Sequence, residues 1–94
     1  MRKEKNSIIY ESGDEISVID GSNSVNKTVP ENWEIEITNS KDLKDERYYS
    51  KISISRNSFG SIDRFYADIE GNSKEELCIK KEKYLNLALF VINS

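Results

Sequence analysis

Two carboxylates and one thiol are the groups in this chain whose types and positions could support chemistry. Glu34 and Glu36 are separated by one residue, which places both on the same face of a strand, where paired acids can transfer protons. Cys78 falls in the second turn of a predicted helix, a position that can favour a thiolate. Because the chain has no histidine, neither site has an imidazole partner. We therefore predict no enzymatic activity, ion pairs from Glu34 and Glu36 to Lys51, and a buried structural Cys78.

Cofactor and metal sites are also predicted to be absent. The four glycines are scattered and form no phosphate-binding loop. One cysteine without histidine cannot hold zinc, and the acids around residues 14–20 lack the spacing of a calcium-binding loop. The sequence therefore predicts no cofactor and no metal.

The composition is that of one small domain covering residues 1–94. Hydrophobic residues make up 36% of the chain and charged residues 33%, enough apolar side chains for a modest core. The longest apolar run, residues 87–92, is too short to span a bilayer, and no signal peptide is evident. The bias towards Ile, Lys, Asn and Ser suggests an AT-rich genome. We expect a cytoplasmic protein of a bacterial host cell.

The acidic residues are concentrated in one part of the chain. The net charge is −3, yet residues 11–46 contain ten acidic and three basic residues, a local charge of −7. Such asymmetry can steer a basic partner towards one side of a protein.

The N-terminal third predicts a hairpin followed by a loop. Residues 7–11 and 15–20 are rich in β-formers and flank Ser12-Gly13-Asp14, so we expect a hairpin over residues 7–20 after a basic tail at 1–6. Residues 21–32 are polar and contain Pro30, which indicates a loop.

A three-stranded antiparallel meander is predicted for residues 33–70. Trp33, Ile35 and Ile37 alternate with polar residues, and Ile52 and Ile54 repeat the pattern after a charged loop at 39–47. A turn at 56–61, with Gly60 at positive φ, leads to the third strand, whose inward residues are expected to be Phe65, Ala67 and Ile69.

The C-terminal residues 73–92 predict a helix. Ser73 and Glu76 form a capping box, and apolar residues recur at helical spacing up to Ile92. The last turns are apolar on all sides, so this end is expected to be buried or to contact a second copy in a homodimer. The predicted fold is a small two-layer α+β domain, an N-terminal β-hairpin plus a three-stranded antiparallel meander packed by one C-terminal α-helix.

The side of the meander opposite the apolar one, which we call the outer face, is the candidate binding surface. Tyrosine and arginine are frequent anchors of protein interfaces. The acidic Glu31 precedes the first strand and is included as part of the acidic segment. The alternatives are a solvated face or one covered by the N-terminal hairpin. The candidate partner-binding residues are Glu31, Glu34, Glu36, Tyr49, Lys51, Arg64 and Tyr66.

Two resemblances bear on function. Residues 48–89 resemble the hairpin-then-helix segment of HicB-like antitoxin domains through Tyr48-Tyr49-Ser50-Lys51-Ile52 and Gly71-Asn72-Ser73-Lys74-Glu75-Glu76-Leu77. That family's proline and cysteine pattern before the helix is absent here, so its function is not transferred. In size, acidity and lack of motifs, the chain is similar to small phage-encoded inhibitors such as anti-CRISPR proteins, which share no common fold.

The leading functional prediction is a non-enzymatic binding protein that acts by protein–protein interaction. In its most concrete form, a phage or mobile-element protein inhibits a bacterial defence protein, for example a basic nucleic-acid-binding one, through an acidic surface. One alternative is a small DNA- or RNA-binding accessory domain that uses the outer face. The other is an antitoxin-like regulator that self-associates through the helix. No membrane partner is expected.

Overall fold

Six strands in two antiparallel sheets and one C-terminal helix make up the protein, as seen in a computed structural model that describes residues 3–58 and 61–93. This architecture confirms the predicted α+β class. The elements are β1 (Lys3–Tyr10), β2 (Glu15–Asp20), β3 (Asn23–Thr28), β4 (Trp33–Asp42), β5 (Arg47–Ser58), β6 (Ser61–Gly71) and α1 (Lys74–Ile92).

The larger sheet has the strand order β1-β4-β5-β6 and is centred on isoleucines from β4 and β5. Ile37 lies directly opposite Ile52, and Ile35 lies opposite Ile54; each is at most 3% exposed. Because side chains alternate along a strand, these residues fix which side of the sheet is buried. We call that side the inner face.

A second layer formed by α1 and the β2–β3 ribbon covers the inner face. Leu85 and Leu89 from the helix, with Ile16 and Val18 from β2, belong to the same buried cluster as the sheet isoleucines. The smallest dimension of the molecule is 17 Å, which accommodates these two layers and no third one. The outer face therefore remains exposed.

The predicted hairpin over residues 7–20 is wrong, because β1 pairs with β4 and β2 pairs with β3. The turn at residues 11–14 directs the chain from one sheet to the other. Gly13, at φ 92°, donates its N–H to the carbonyl of Val29 at 3.0 Å, and Val29 donates back to the carbonyl of Asp14 at 2.9 Å. The predicted basic tail is also shorter than expected, since β1 begins at Lys3.

The predicted loop over residues 21–32 contains strand β3. Asp20 pairs with Asn23 across a two-residue turn, and Gly21 at its first central position has φ 64°. A glycine there is the sequence signature of a tight hairpin turn. The strand itself was missed because its residues are nearly all polar and exposed, so they carry no alternating apolar pattern.

The meander of β4, β5 and β6 is confirmed, with longer strands than predicted. The two central strands pair from Trp33 to Asp42, so the predicted loop at 39–47 shrinks to residues 43–46. Asp42 stabilises this turn by accepting hydrogen bonds from the backbone N–H groups of Lys44 and Asp45 at 3.0 and 3.4 Å. The predicted positive φ of Gly60 lies outside the described residues.

At one end of the inner face, aromatic contacts replace the second layer. Phe65 points to the inner side as predicted but is 51% exposed. It stacks on Trp33 with ring centroids 6.1 Å apart, while the guanidinium of Arg56 lies 5.1 Å from the Trp33 ring. Trp33 is consequently buried, as the sequence predicted.

Helix α1 follows the prediction closely. The Ser73 hydroxyl accepts a hydrogen bond from the N–H of Glu76 at 3.1 Å, while the Glu76 carboxylate accepts from the N–H of Asn72 rather than from that of Ser73. At its C-terminal end the helix is apolar on both sides: Leu85 and Leu89 are buried, whereas Leu87 and Phe90 are 66% and 70% exposed. Within the described ranges, no helix has the length and hydropathy needed to span a membrane.

Gly71 is the residue on which the junction between β6 and α1 depends. A Cβ atom added at Gly71 would lie 2.9 Å from the backbone nitrogen of Leu77 and 3.2 Å from its Cα. We expect Gly71→Ala to lower the free energy of unfolding by about 1–3 kcal/mol, because the first turn of α1 would have to move. Asn72→Ala, at the adjacent exposed position, is the matched control. Urea denaturation measures both, and equal stability of the two variants would contradict the role of Gly71.

Candidate functional site

The outer face forms a shallow concavity across β4, β5 and β6. It has a volume of about 300 Å³. Five of the seven predicted binding residues line it, which the strand register explains: alternate residues of three paired strands project to the same side. Its lining residues are Glu34, Glu36, Thr38, Lys51, Ser53, Ser55, Arg64 and Tyr66.

Arg64 and Tyr66 act as one unit within this concavity. An Arg64 N–H donates to the Tyr66 hydroxyl at 3.1 Å, and the guanidinium carbon lies 6.0 Å from the ring centroid. The hydrogen bond to Tyr66, with smaller contributions from Glu36 and Glu34, raises the pKa of Arg64 above its ordinary value. Since Tyr66 is 58% exposed, the pair presents a cationic group and an aromatic ring side by side to solvent.

The predicted ion pairs from Glu34 and Glu36 to Lys51 do not form. Serines stand opposite the two glutamates, Ser55 across from Glu34 and Ser53 across from Glu36. The ion pairs among the described residues, Arg47–Glu70, Arg56–Asp63 and Lys80–Glu76, lie elsewhere. The two carboxylates and the Lys51 ammonium are therefore available to groups outside the chain.

Tyr49 extends the candidate surface towards β1. It lines an adjoining depression of about 560 Å³ together with Lys5, Lys51, Asp68 and Glu70. Tyr49 is half-buried. Lys51 borders both depressions, so six of the seven predicted residues belong to one continuous part of the outer face.

Glu31 is the predicted residue that does not lie on this sheet. It occupies the exposed connection between β3 and β4. The other acidic residues of the 11–46 segment are similarly dispersed over two sheets and the turns between their strands. Only Glu34 and Glu36 from this segment line the concavity on the outer face.

Cys78 is exposed, which contradicts the predicted buried position. Its thiol donates a hydrogen bond to a Glu82 carboxylate oxygen at 2.7 Å, one helical turn further along α1. This hydrogen bond, together with partial burial and the negative charge of Glu82, raises the pKa of the thiol. The group is therefore held protonated and is a poor nucleophile at neutral pH.

Sequence reasoning missed a second concave region, on the other side of the sheet. Four lysines from three elements, Lys5, Lys41, Lys74 and Lys81, line a cavity of about 460 Å³ between α1 and the sheet. The sequence carried only a weak sign of this cavity. Of its lysines, only Lys74 and Lys81 lie on the same element, where a spacing of two helical turns places them on one face of α1. Lys41 belongs to β4 and Lys5 to β1, and the pairing of these strands places the two residues on opposite faces of the sheet.

The described residues contain no group of three or more Cys, Asp or Glu side chains placed to hold a metal ion. Comparison of the chain with protein-family models, with curated proteins and with solved structures found no match. Functional inference therefore depends on the geometry of the surfaces alone.

The contact between Cys78 and Glu82 has a measurable consequence for thiol reactivity. Glu82→Gln should lower the pKa of Cys78, because it removes the charge and the carboxylate acceptor that favour the protonated form. At a fixed mildly alkaline pH the thiolate population, and with it the alkylation rate by iodoacetamide, should rise towards tenfold for each pKa unit recovered. Glu75→Gln, on the same helix, is the control. An unchanged alkylation pH profile in the Glu82 variant would show that this contact does not control the thiol.

Proposed function

We propose that the protein is a non-enzymatic binding module that docks on another protein through its outer face and thereby inhibits or regulates it. The observation that carries the proposal is the exposed Arg64–Tyr66 pair in a concavity that no other element of the described part of the chain covers. Arg and Tyr are among the side chains that most often dominate interface energetics, and both lie on strand β6, which pairs with β5.

The charges around this pair favour a protein partner over a nucleic acid. Glu34 and Glu36 line the same concavity as Lys51 and Arg64, so a phosphate backbone that approached the cations would also meet two carboxylates. A protein can instead offer basic side chains to the glutamates and carboxylate or carbonyl oxygens to Lys51 and Arg64. We therefore assign the face to a partner whose contact surface includes basic residues.

The most concrete version of this proposal is a phage or mobile-element inhibitor of a bacterial host-defence protein. Many such targets bind nucleic acid and so carry basic surfaces, which suit Glu34 and Glu36. Inhibition would then follow from covering that basic surface, without any chemical step by this chain.

Quantitative pull-down with variants tests whether the outer face is the contact surface. Tagged protein is mixed with nuclease-treated bacterial lysate, and captured proteins are quantified by mass spectrometry. We expect Arg64→Ala combined with Tyr66→Ala to reduce capture of the specific partner by about 30-fold or more, as for interface residues worth at least 2 kcal/mol.

A control changes one basic residue and one tyrosine away from the face. Lys83→Ala and Tyr84→Phe, both on α1, should leave capture unchanged. Charge reversal of Glu34 and Glu36 to Lys should slow association with the identified partner more than reversal of Glu11 and Glu15, which lie outside the outer face. Partner capture that survives the Arg64 and Tyr66 variant would reject the outer face as the docking surface.

Self-association through α1 is a second candidate, supported by a separate observation. Ile79, Leu87 and Phe90 are 47%, 66% and 70% exposed and recur at helical spacing on the side of α1 that faces away from the core. An apolar stripe on a helix matches itself in a two-fold contact, so a second copy of the chain is the occupant that this surface suits.

The mass of the protein as a function of concentration distinguishes this candidate. Sedimentation equilibrium should detect a dimer that Leu87→Ser with Phe90→Ser converts to monomer, because each buried large apolar side chain contributes roughly 1.5–3 kcal/mol. Ile9→Ser, which removes a comparably exposed apolar residue from the outer face, should preserve the dimer. A monomer mass at all concentrations would eliminate self-association.

A further inference from the structure

Strand β6 is an edge of the larger sheet. The strand order is β1-β4-β5-β6, so within the described part of the chain β5 is the strand that pairs with β6, on one side of it only. An edge strand presents a row of N–H and C=O groups to which another strand can pair. Charged side chains on an edge limit which strands it accepts, and those of β6 therefore indicate its partner.

A contact between α1 and β6 shows which backbone groups point away from the sheet. The Lys80 ammonium donates to the Glu70 carbonyl at 3.1 Å, so this carbonyl is directed away from β5. The N–H and C=O of one residue in an antiparallel strand point to the same side, and that side alternates from residue to residue. The backbone groups of Arg64, Tyr66 and Asp68 therefore also point away from β5, where a further strand would lie.

The charges along this edge are self-complementary. If a second copy of β6 pairs antiparallel about a two-fold axis at Tyr66, Arg64 lies directly opposite Asp68 of the second copy, and symmetry repeats the match. Neither Arg64 nor Asp68 forms an ion pair among the described residues. Glu70 is already paired with Arg47 at 3.2 Å and holds Lys80 through its carbonyl, so Asp68 is the acid available to Arg64.

The remaining side chains also suit this register. Tyr66, which is 58% exposed, would face the same residue of the second copy, and aromatic cross-strand pairs are favourable. The opposite edge of the sheet offers no comparable match. On the outer face of β1, Lys5, Ser7 and Ile9 include no acidic residue, so pairing of β1 with itself would bring no opposite charges together.

The same axis brings an exposed apolar side of α1 to the second copy. Two contacts settle the orientation of the helix: Lys80 reaches Glu70 of β6, whereas Glu82 accepts a hydrogen bond from Ser17 of β2 at 3.0 Å. Leu87 follows Lys80 by two helical turns and so lies on the β6 side, where it is 66% exposed. A two-fold axis perpendicular to the sheet keeps both helices on one side of the joined sheets, with each Leu87 directed towards the other copy.

We propose that two copies of the chain join edge to edge through β6, in an antiparallel register centred on Tyr66, so that their two four-stranded sheets become one continuous sheet. The proposal rests on the self-association proposed for α1 and adds the strand contact that accompanies it. In the joined sheet the Arg64–Tyr66 units of both copies lie side by side on one outer face. A partner docking there would meet two such units.

Charge reversal with complementation tests this register. Arg64→Asp alone places acids opposite acids, and Asp68→Arg alone places arginines opposite arginines, twice in each dimer. Each change should raise the dimer dissociation constant by about tenfold or more in sedimentation equilibrium. An equimolar mixture of the two variants should recover the dimer, because every reversed residue then meets an opposite charge. Glu15→Arg and Lys27→Asp, on the β2–β3 ribbon, are the controls and should leave the dimer unchanged.

Amide hydrogen exchange reports the backbone pairing itself. At concentrations above the dimer dissociation constant, the amides of Tyr66 and Asp68 should exchange more slowly in the wild-type chain than in the Arg64→Asp variant. The amides of Phe65 and Ala67 point to β5, so their exchange should be the same in both proteins.

The outcomes separate the strand contact from self-association in general. A wild-type monomer at all concentrations would overturn both. A dimer that Leu87→Ser with Phe90→Ser dissociates, but that neither charge reversal weakens, would overturn the β6 contact alone. A mixture of the two reversal variants that stays monomeric would also overturn the β6 contact.

Discussion

The pairing of isoleucines between β4 and β5 is the constraint on which the rest of the structure depends. Ile35 with Ile54, and Ile37 with Ile52, form two directly opposed cross-strand pairs at the centre of the sheet. A slip of one residue would move these side chains to the solvent and carry Glu34 and Glu36 into the core. The same alternation that buries four isoleucines therefore also sets the carboxylates, Lys51 and, through β6, Arg64 on the outer face.

The parts of the fold that could be predicted are those specified by residues near one another in sequence. Alternation identified β4 and β5, and the Ser73–Glu76 cap identified the start of α1. The pairing of β1 with β4 could not be derived, because the turn at Gly13 can lead either to a hairpin or to a second sheet. Strand β3 was hidden for a different reason: its backbone hydrogen bonds to β2 hold it in place, and its side chains contribute almost nothing to the core.

The two candidate surfaces differ in the same way in how far they could be predicted from the sequence. Six residues of the outer face were predictable because strand alternation alone assigns them to one side. The cavity between α1 and the sheet was not, since the position of Asn6 beside Asn39 depends on the unpredicted β1–β4 pairing, and the proximity of Lys41 to α1 depends on tertiary packing. Net charge was a poor guide for a related reason: the acidic residues are dispersed over many elements, while Lys41, Lys74 and Lys81 from two elements line one cavity.

The strand order also determines how the chain must assemble. Joining β4 to β5 closes only the short turn at 43–46, whereas joining β1 to β4 must enclose the whole segment 11–32. The entropic cost of closure grows with the length of the enclosed chain, so the meander is the less costly structure to form first. During synthesis β1 emerges before its partner exists, with Ile8 and Ile9 uncovered. The β2–β3 ribbon lowers the entropic cost of joining β1 to β4. Its tight turn brings the two ends of the enclosed segment close together before β1 and β4 meet.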